Sequence, residues 1–506
     1  MNYQVHLEIM WKTRPNVNMD KQVFDICVIG GGINGAGIAR DAAGRGYNVL
    51  LIEKGDLASG TSSASTKLIH GGLRYLEQYE FGLVRKALKE RDVLLNLAPH
   101  IIWPMRFVLP HAPHLRPLWM IRVGTWVYDF LACGTKLKKS IKTNVKNKYL
   151  SSKFKNGIEY SDCWVEDSRL VILNAMDAMA RGAVVKTNTT CQSIRADDDQ
   201  WIVDCGGKGQ FKAQMIVNAA GPWAADVMDK TEAIKPQPLR LVKGSHIVVP
   251  KLYKESESYI LQNEDGRIVF TIPYEGEFTL IGTTDVDVGR DPSQKPEIDE
   301  GERQYLKSVV KYYFNKNIKD IDIIYNYSGV RPLMDSGEEA AYASRDYEFD
   351  VQHINRLPYL SVLGGKITTY RILSEQLVDL VDKEFHKSPA PWTRNAKLPG
   401  GDIKNNDFEQ FVREQQLEFP FLSQSLIRRY ARAYGTCMNI ILDGVKNLAD
   451  MGTEIGGGVY AHELDYLRAY EFAVTADDVL WRRSKLGLHL DKDTQKAIKK
   501  YMDERV

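Results

Sequence analysis

Three glycines, Gly30, Gly32 and Gly35, stand at the spacing G-x-G-x-x-G directly after the apolar run 24–29. The chemistry served by that spacing is the binding of a dinucleotide pyrophosphate. The first glycine permits a tight turn and the second lets the backbone approach the phosphates. The third lets a helix pack close to the strand, with its free N–H groups and positive end facing the negative charge. Glu53 follows a second apolar run, 18 positions after Gly35, where a carboxylate can meet the hydroxyls of an adenosine ribose. A glycine-rich turn that binds nothing is the alternative, but strand, glycines, helix, second strand and terminal acid all agree on a cofactor. The fingerprint does not separate flavin from nicotinamide. Two later segments favour FAD. Ser59-Gly60-Thr61-Ser62-Ser63 follows the second strand and can offer hydroxyls and backbone donors to the far end of a dinucleotide, with Thr61, Ser62 and Ser63 as the contacts. Gly364-Gly365-Lys366-Ile367-Thr368-Thr369 again sets a helix start after a strand, placing Gly365, Lys366 and Thr368 where negative charge on a reduced flavin can be stabilised. Each of these segments taken alone reads equally well as a capped loop.

The elements that must position these residues begin with a strand at 24–29, a helix to about Arg45 capped by Gly46, and a strand at 48–52. That is one βαβ unit. Further strands are expected at 183–187, 201–204, 215–219, 246–249, 268–272 and 279–282, and a last one at 359–363. The dinucleotide sheet is therefore completed by pieces hundreds of residues apart, and the middle of the chain forms a second, substrate-facing layer. Beyond residue 391 the pattern turns helical at 408–416, 423–434 and 477–485, the last opened by Thr475 and Asp478 as a weakened capping box. The expected fold class is α/β (α+β): a Rossmann-like FAD-binding domain interleaved with a mixed β-sheet substrate domain over 21–390, and a helical C-terminal domain over 391–506. Residues 1–20 are expected to be a poorly ordered extension.

At 506 residues the chain holds roughly three domains' worth of structure. Its 44% hydrophobic and 26% charged content provides a large core and excludes wholesale disorder. Lys+Arg 67 against Asp+Glu 65 argues against a nucleic-acid binder. No apolar run reaches the length of a membrane span, the best, 93–105, being broken by Pro99 and His100. The six cysteines are scattered without a C-x-x-C pair, which points to reduced thiols and to no metal site.

Six motifs occur in one order: G-G-G-I-N-G-A-G (30–37), T-S-S-A-S-T-K-L-I-H-G-G-L-R-Y-L (61–76), K-G-S-H-I-V-V-P (243–250), I-G-T-T-D (281–285), Y-S-G-V-R-P-L (327–333) and G-G-K-I-T-T-Y-R (364–371). In this the chain resembles the FAD-dependent, quinone-linked glycerol-3-phosphate dehydrogenases of the glycine/D-amino-acid oxidase-like group. The likeness runs from about residue 21 into the C-terminal region, W-R-R-S-K-L-G-L (481–488) included. It implies non-covalent FAD, oxidation of sn-glycerol 3-phosphate to dihydroxyacetone phosphate, ubiquinone or a similar quinone as acceptor, and peripheral attachment to the cytoplasmic side of the inner (plasma) membrane. A homodimer is left open. The N-terminal extension is unexpected, and no EF-hand pattern like that of mitochondrial members occurs. Alternatives are a glycerol-3-phosphate oxidase using oxygen, an amine or amino-acid oxidase on the same scaffold, and a flavin-binding interaction protein without turnover.

Such a reaction needs a cationic pocket for a phosphate, a group to take the C2 hydroxyl proton, and a flavin beside C2. Arg74, Arg331 and Arg345 are the candidates for the first, since a guanidinium fork binds phosphate oxygens bidentately, and Tyr75 can add a hydroxyl. His246 is the candidate general base, although a histidine in an apolar strand is also a common core residue. Arg331 can alternatively stabilise the C2 oxygen in concert with His246, and Lys366 can contact substrate or flavin. His70 and Gly71 are placed to line the flavin. Finally, residues 101–150 carry nine basic side chains against one acid, Asp129, interleaved with Trp103, Trp119, Met120, Trp126, Tyr128 and Phe130. Aromatics among cations suit an anionic membrane surface; a packed loop with a solvated lysine-rich tail is the alternative.

Overall fold

The computed structural model describes residues 22–146, 149–234, 239–289, 295–334 and 346–505. The extension 1–20 and Arg345 lie outside the described residues. Val23–Ile29 is buried on both faces except at its start, which is why it reads as a continuous apolar run rather than an alternating one. It pairs in parallel with Val49–Ile52 on one side and with Gln210–Asn218 on the other. Val184–Lys186 extends the sheet beyond Val49–Ile52, and Leu357–Gly364 extends it beyond Gln210–Asn218, both in parallel. Counted along the chain, the five parallel strands lie in the order third, second, first, fourth, fifth. Connections leave the first and fourth strands in opposite directions, and the crevice at their C-terminal ends is where such sheets bind ligands. Antiparallel Tyr347–Ile354 covers the edge beyond Leu357–Gly364.

Helix Ile33–Gly44 fills one face of this sheet, packed against helices Asp167–Ala180 and Tyr370–Glu384. It ends as expected: Gly46 sits at φ +87°, its N–H bonded to the Ala43 carbonyl. The inserted layer is a ten-stranded mixed sheet. Its long antiparallel pair, Leu239–Pro250 with Tyr325–Met334, sets Val242 opposite Arg331 and His246 opposite Tyr327. Ile102–Pro110 and Asn156–Val165 form the other long pair.

The C-terminal helices, among them Phe408–Glu418, Gln424–Tyr434, Ala461–Tyr470 and Lys492–Asp503, close around their own apolar core. The helix expected at 477–485 is different in kind. Asp478–Arg483 is a single π-helical stretch, with the Ser484 N–H bonded to the Val479 carbonyl at 3.0 Å. The widened backbone lets two successive side chains, Arg482 and Arg483, both reach Asp56 beneath the cofactor-type domain. The capping box is formed: the Asp478 carboxylate accepts from the Val474 and Thr475 amides, each at 2.8 Å, and the Thr475 hydroxyl accepts from the Asp478 amide.

Candidate active site

A cavity of about 1260 Å³ runs from the glycine turn to the inserted sheet. That exceeds the roughly 300–1,000 Å³ that holds one small ligand, so a dinucleotide and a second small molecule can share it. At one end Gly30, at φ +117°, brings the backbone so close to the fourth strand that a Cβ there would stand 2.6 Å from the Ala219 carbonyl oxygen. A Cβ on Gly35 would stand 1.9 Å from the carbonyl oxygen of Gly30. Both positions exclude any side chain. The helix that follows carries no acidic residue in its first turn and no side chain of its N-cap residue, Gly32, caps it, which leaves its positive end for an anion. Glu53 accepts from the Gly31 amide at 2.6 Å and from the Gly55 amide at 2.8 Å. Burial pushes this carboxyl above its ordinary value, and the two amides pull it back. Each carboxylate oxygen keeps a lone pair for a ribose hydroxyl.

Thr61, Ser62 and Ser63 form a one-turn 3-10 helix on the cavity wall. Thr61 donates to the Val330 carbonyl at 2.6 Å, and the Ser62 hydroxyl accepts from the Ile33 amide at 3.0 Å. The loop is thereby tied to the inserted sheet and to the start of the first helix. Across the cavity, Gly365 at φ +101° and Lys366 precede the 3-10 turn Ile367–Thr369, which feeds helix Tyr370–Glu384. The Thr368 hydroxyl accepts from the His70 amide at 3.3 Å. Asn34, between the two glycine turns, has a buried Oδ1 with no hydrogen-bond partner while its Nδ2 reaches the Gly364 carbonyl. Buried polar atoms of this kind are rare without a ligand or water to satisfy them. The glycine cradle, the helix start with its first amide on Ser62, Glu53 and Asn34 fit FAD. When bound, it supplies a ring that accepts a hydride.

At the far end Arg74, Tyr75, Arg331 and Lys366 all line the same cavity. Arg331 is paired with Asp285 and donates to the Thr283 hydroxyl at 3.0 Å. The Lys366 ammonium lies 3.9 Å from the centre of the Tyr75 ring. His246 is fully buried and stacks on Tyr327 with ring centres 4.8 Å apart. It does not itself line the cavity. Its Nε2 is 3.0 Å from the hydroxyl of Thr66, which does, while its Nδ1 has no partner. Burial holds the imidazole well below its ordinary value, helped by the positive charges of Arg331 and Lys67. Gly71 is set behind the wall, its amide donating to the Tyr128 hydroxyl.

The sequence reading does not place Thr66, Lys67, Trp481 or Lys485 in the site. Lys67 is buried and paired with Asp167 at 2.7 Å. Trp481 stacks flat on Tyr325 at 4.2 Å, and Lys485 donates to the Trp481 carbonyl at 2.5 Å, so the C-terminal domain supplies part of the wall. The available signal was the W-R-R-S-K-L-G-L motif, whose side chains would otherwise read as a solvated helix face.

Residues 25–371 match the family described as FAD dependent oxidoreductase, and 391–504 match the C-terminal domain of alpha-glycerophosphate oxidase. The chain is 47% identical to the aerobic glycerol-3-phosphate dehydrogenase of Escherichia coli (strain K12), covering 95% of this chain and 97% of that one. It is 46% identical to the D-erythritol 1-phosphate dehydrogenase of Brucella abortus (strain 2308), over 96% and 98%. The glycerol-3-phosphate dehydrogenase of Bacillus halodurans, solved in complex with FAD, superposes with a TM-score of 0.76 at 26% identity, covering 96% of this chain and 91% of that one. Cofactor cradle, sheet order and these matches agree: the chain belongs to the FAD-dependent oxidoreductases, in the glycerol-3-phosphate dehydrogenase family.

Proposed function

We propose that the protein oxidises sn-glycerol 3-phosphate to dihydroxyacetone phosphate, with non-covalent FAD as hydride acceptor and a membrane quinone as the final electron acceptor. The observation that carries this reading is the convergence of Arg74, Arg331 and Lys366 on the cavity that also holds the dinucleotide turn. Cationic side chains at the end opposite Glu53 suit an anionic substrate laid beside the flavin end of the cofactor. Arg74 and Tyr75 hold the phosphate. Arg331, already oriented by Asp285 and Thr283, faces the C2 oxygen and stabilises the charge that builds on it. The C2 hydroxyl proton leaves toward His246 by way of Thr66. Arg345 lies outside the described residues and remains a candidate for the phosphate.

The membrane part of the reading rests on helix Leu118–Leu131. Trp119, Val123, Trp126 and Phe130 recur at one-face helical spacing and are exposed, the two tryptophans at 67% and 61%. Arg116, Lys136, Lys138, Lys139 and Lys142 are exposed around them. Among the described residues no helix is long and apolar enough to cross a membrane. An aromatic face ringed by cations fits peripheral docking on anionic lipid.

A longer phosphorylated polyol is the second reading, favoured by the near-equal identity to an enzyme named for D-erythritol 1-phosphate. Anaerobic mixing of the yellow holoenzyme with glycerol 3-phosphate, erythritol 1-phosphate and glycerol tests both. Bleaching by glycerol 3-phosphate, and far less by glycerol, is expected; bleaching by the four-carbon phosphate alone replaces the first reading with the second. An oxygen-electrode trace with and without a quinone analogue separates dehydrogenase from oxidase.

A further inference from the structure

We propose that Tyr128 and Asp162 are positioning residues for substrate binding, fixing the turn that carries Arg74 and Tyr75 into the cavity. The inference rests on the reading that Arg74 and Tyr75 hold the substrate's phosphate. Three hydrogen bonds run in one direction. The Gly71 amide donates to the Tyr128 oxygen at 2.8 Å, and the Tyr128 hydroxyl donates to both Asp162 oxygens at 2.8 and 2.9 Å. Arg91 donates to Asp162 at 2.9 Å and to the Ser161 carbonyl at 3.1 Å. A backbone amide can only donate and a carboxylate only accept, so the phenol has a single orientation.

The anchor leaves no slack. Arg91, Tyr128 and Asp162 are each at most 2% exposed. A Cβ on Gly71 would stand 2.7 Å from the Tyr128 oxygen and 2.6 Å from Leu88. Gly72 then turns left-handed at φ +78°, and the 3-10 helix Leu73–Gln78 starts at once, closed by the Tyr75 amide on the Gly72 carbonyl at 2.9 Å. Only two residues, Gly72 and Leu73, lie between Gly71 and Arg74. A displacement of Gly71 therefore passes to Arg74 and Tyr75, and through the Tyr75 ring to Lys366. Side chains held within about half an ångström bind far better than the same groups left loose.

The anchor also has a pH at which it slackens. Asp162 faces Arg91 from helix Phe81–Leu97, Tyr128 from helix Leu118–Leu131, and Tyr160 and Cys163 of its own strand, with Asp92 beside Arg91. Burial pushes the Asp162 carboxyl up to about 6 against the pull of Arg91. Above that pH the carboxylate holds both partners. Below it one acceptor site is lost and the phenol's orientation is no longer fixed.

Equilibrium binding of dihydroxyacetone phosphate to the oxidised full-length holoenzyme, followed by calorimetry, tests the inference without turnover. Anaerobic stopped-flow reduction by glycerol 3-phosphate gives the limiting rate beside it. Tyr128→Phe, which keeps the ring and removes one oxygen, should weaken binding roughly tenfold with the limiting rate within about twofold of wild type, and with FAD content and melting temperature retained. Asp162→Asn should do the same at pH 7.5. Its Kd ratio to wild type should shrink toward one as the pH falls through 6, a comparison that cancels the ligand's own phosphate titration. Arg74→Ala serves as the reference. Normal binding by Arg74→Ala overturns the assignment of the phosphate site. Weakened binding by Arg74→Ala with normal binding by a folded Tyr128→Phe overturns the positioning role alone. A Tyr128→Phe that loses FAD or melts early also overturns it, because the bond network is then a general stabiliser.

Discussion

His246 stays neutral across the physiological range because burial, Arg331 and Lys67 all disfavour its charged form. The limiting rate of flavin reduction at saturating substrate should therefore show no inflection near the ordinary histidine value, which a stopped-flow series from pH 5.5 to 8.5 checks, at about half-unit steps. Since the ring meets the cavity through Thr66, Thr66→Val should slow reduction by roughly 10²-fold while Thr66→Ser retains most of the rate. Arg331→Ala should cost about 10²–10³-fold in the same assay, the scale of removing one pre-aimed charge-stabilising donor. Both arginine and histidine were visible in the chain as candidates because each stands in a strand-like run where a polar group needs a reason. Thr66 was not. A threonine in a Ser/Thr-rich loop looks like its neighbours, and only the three-dimensional approach of residues 180 positions apart singles it out.

Among the elements, helix Leu118–Leu131 separates what composition alone merges. The stretch shows its cations and aromatics plainly in the sequence, yet Tyr128 and Trp126 differ only in helical phase: Tyr128 is buried against Asp162 while Trp126 and Phe130 stand in solvent. Trp103 belongs to strand Ile102–Pro110 and packs on Trp164 instead. Trp119→Asp and Trp126→Asp should each weaken sedimentation with anionic liposomes about tenfold, the order expected for withdrawing one large apolar side chain from lipid. Equal sedimentation of wild type and both variants would remove this helix from the docking face. Strands Val23–Ile29, Val49–Ile52 and Leu357–Gly364 of the cofactor sheet were legible because residues buried on both faces leave unbroken apolar runs. The π-helical stretch Asp478–Arg483 was not, since Asp56, the partner its two arginines share, lies more than 400 positions away.

For the molecule as a whole, buried ion pairs tie the C-terminal helices to the rest. Arg169 forms a two-bond pair with Glu471, and Asp56 receives Arg482 and Arg483 together. Asp56→Ala would leave two largely buried guanidinium groups short of their partner. A loss of about 3–5 kcal/mol is expected, with the urea midpoint lowered and FAD released in the same transition. That the cofactor domain is interrupted and completed late could be foreseen from its scattered strands. That the last domain reaches into the cavity could not, because a helical segment's periodicity shows which face is buried but never against what. One consequence concerns biosynthesis. The chamber is walled by residues from Ile29 to Lys485, so a ribosome must release nearly the entire polypeptide before the prosthetic group has a closed home. A chain stopped short of Trp481 would leave that wall of the chamber open to solvent.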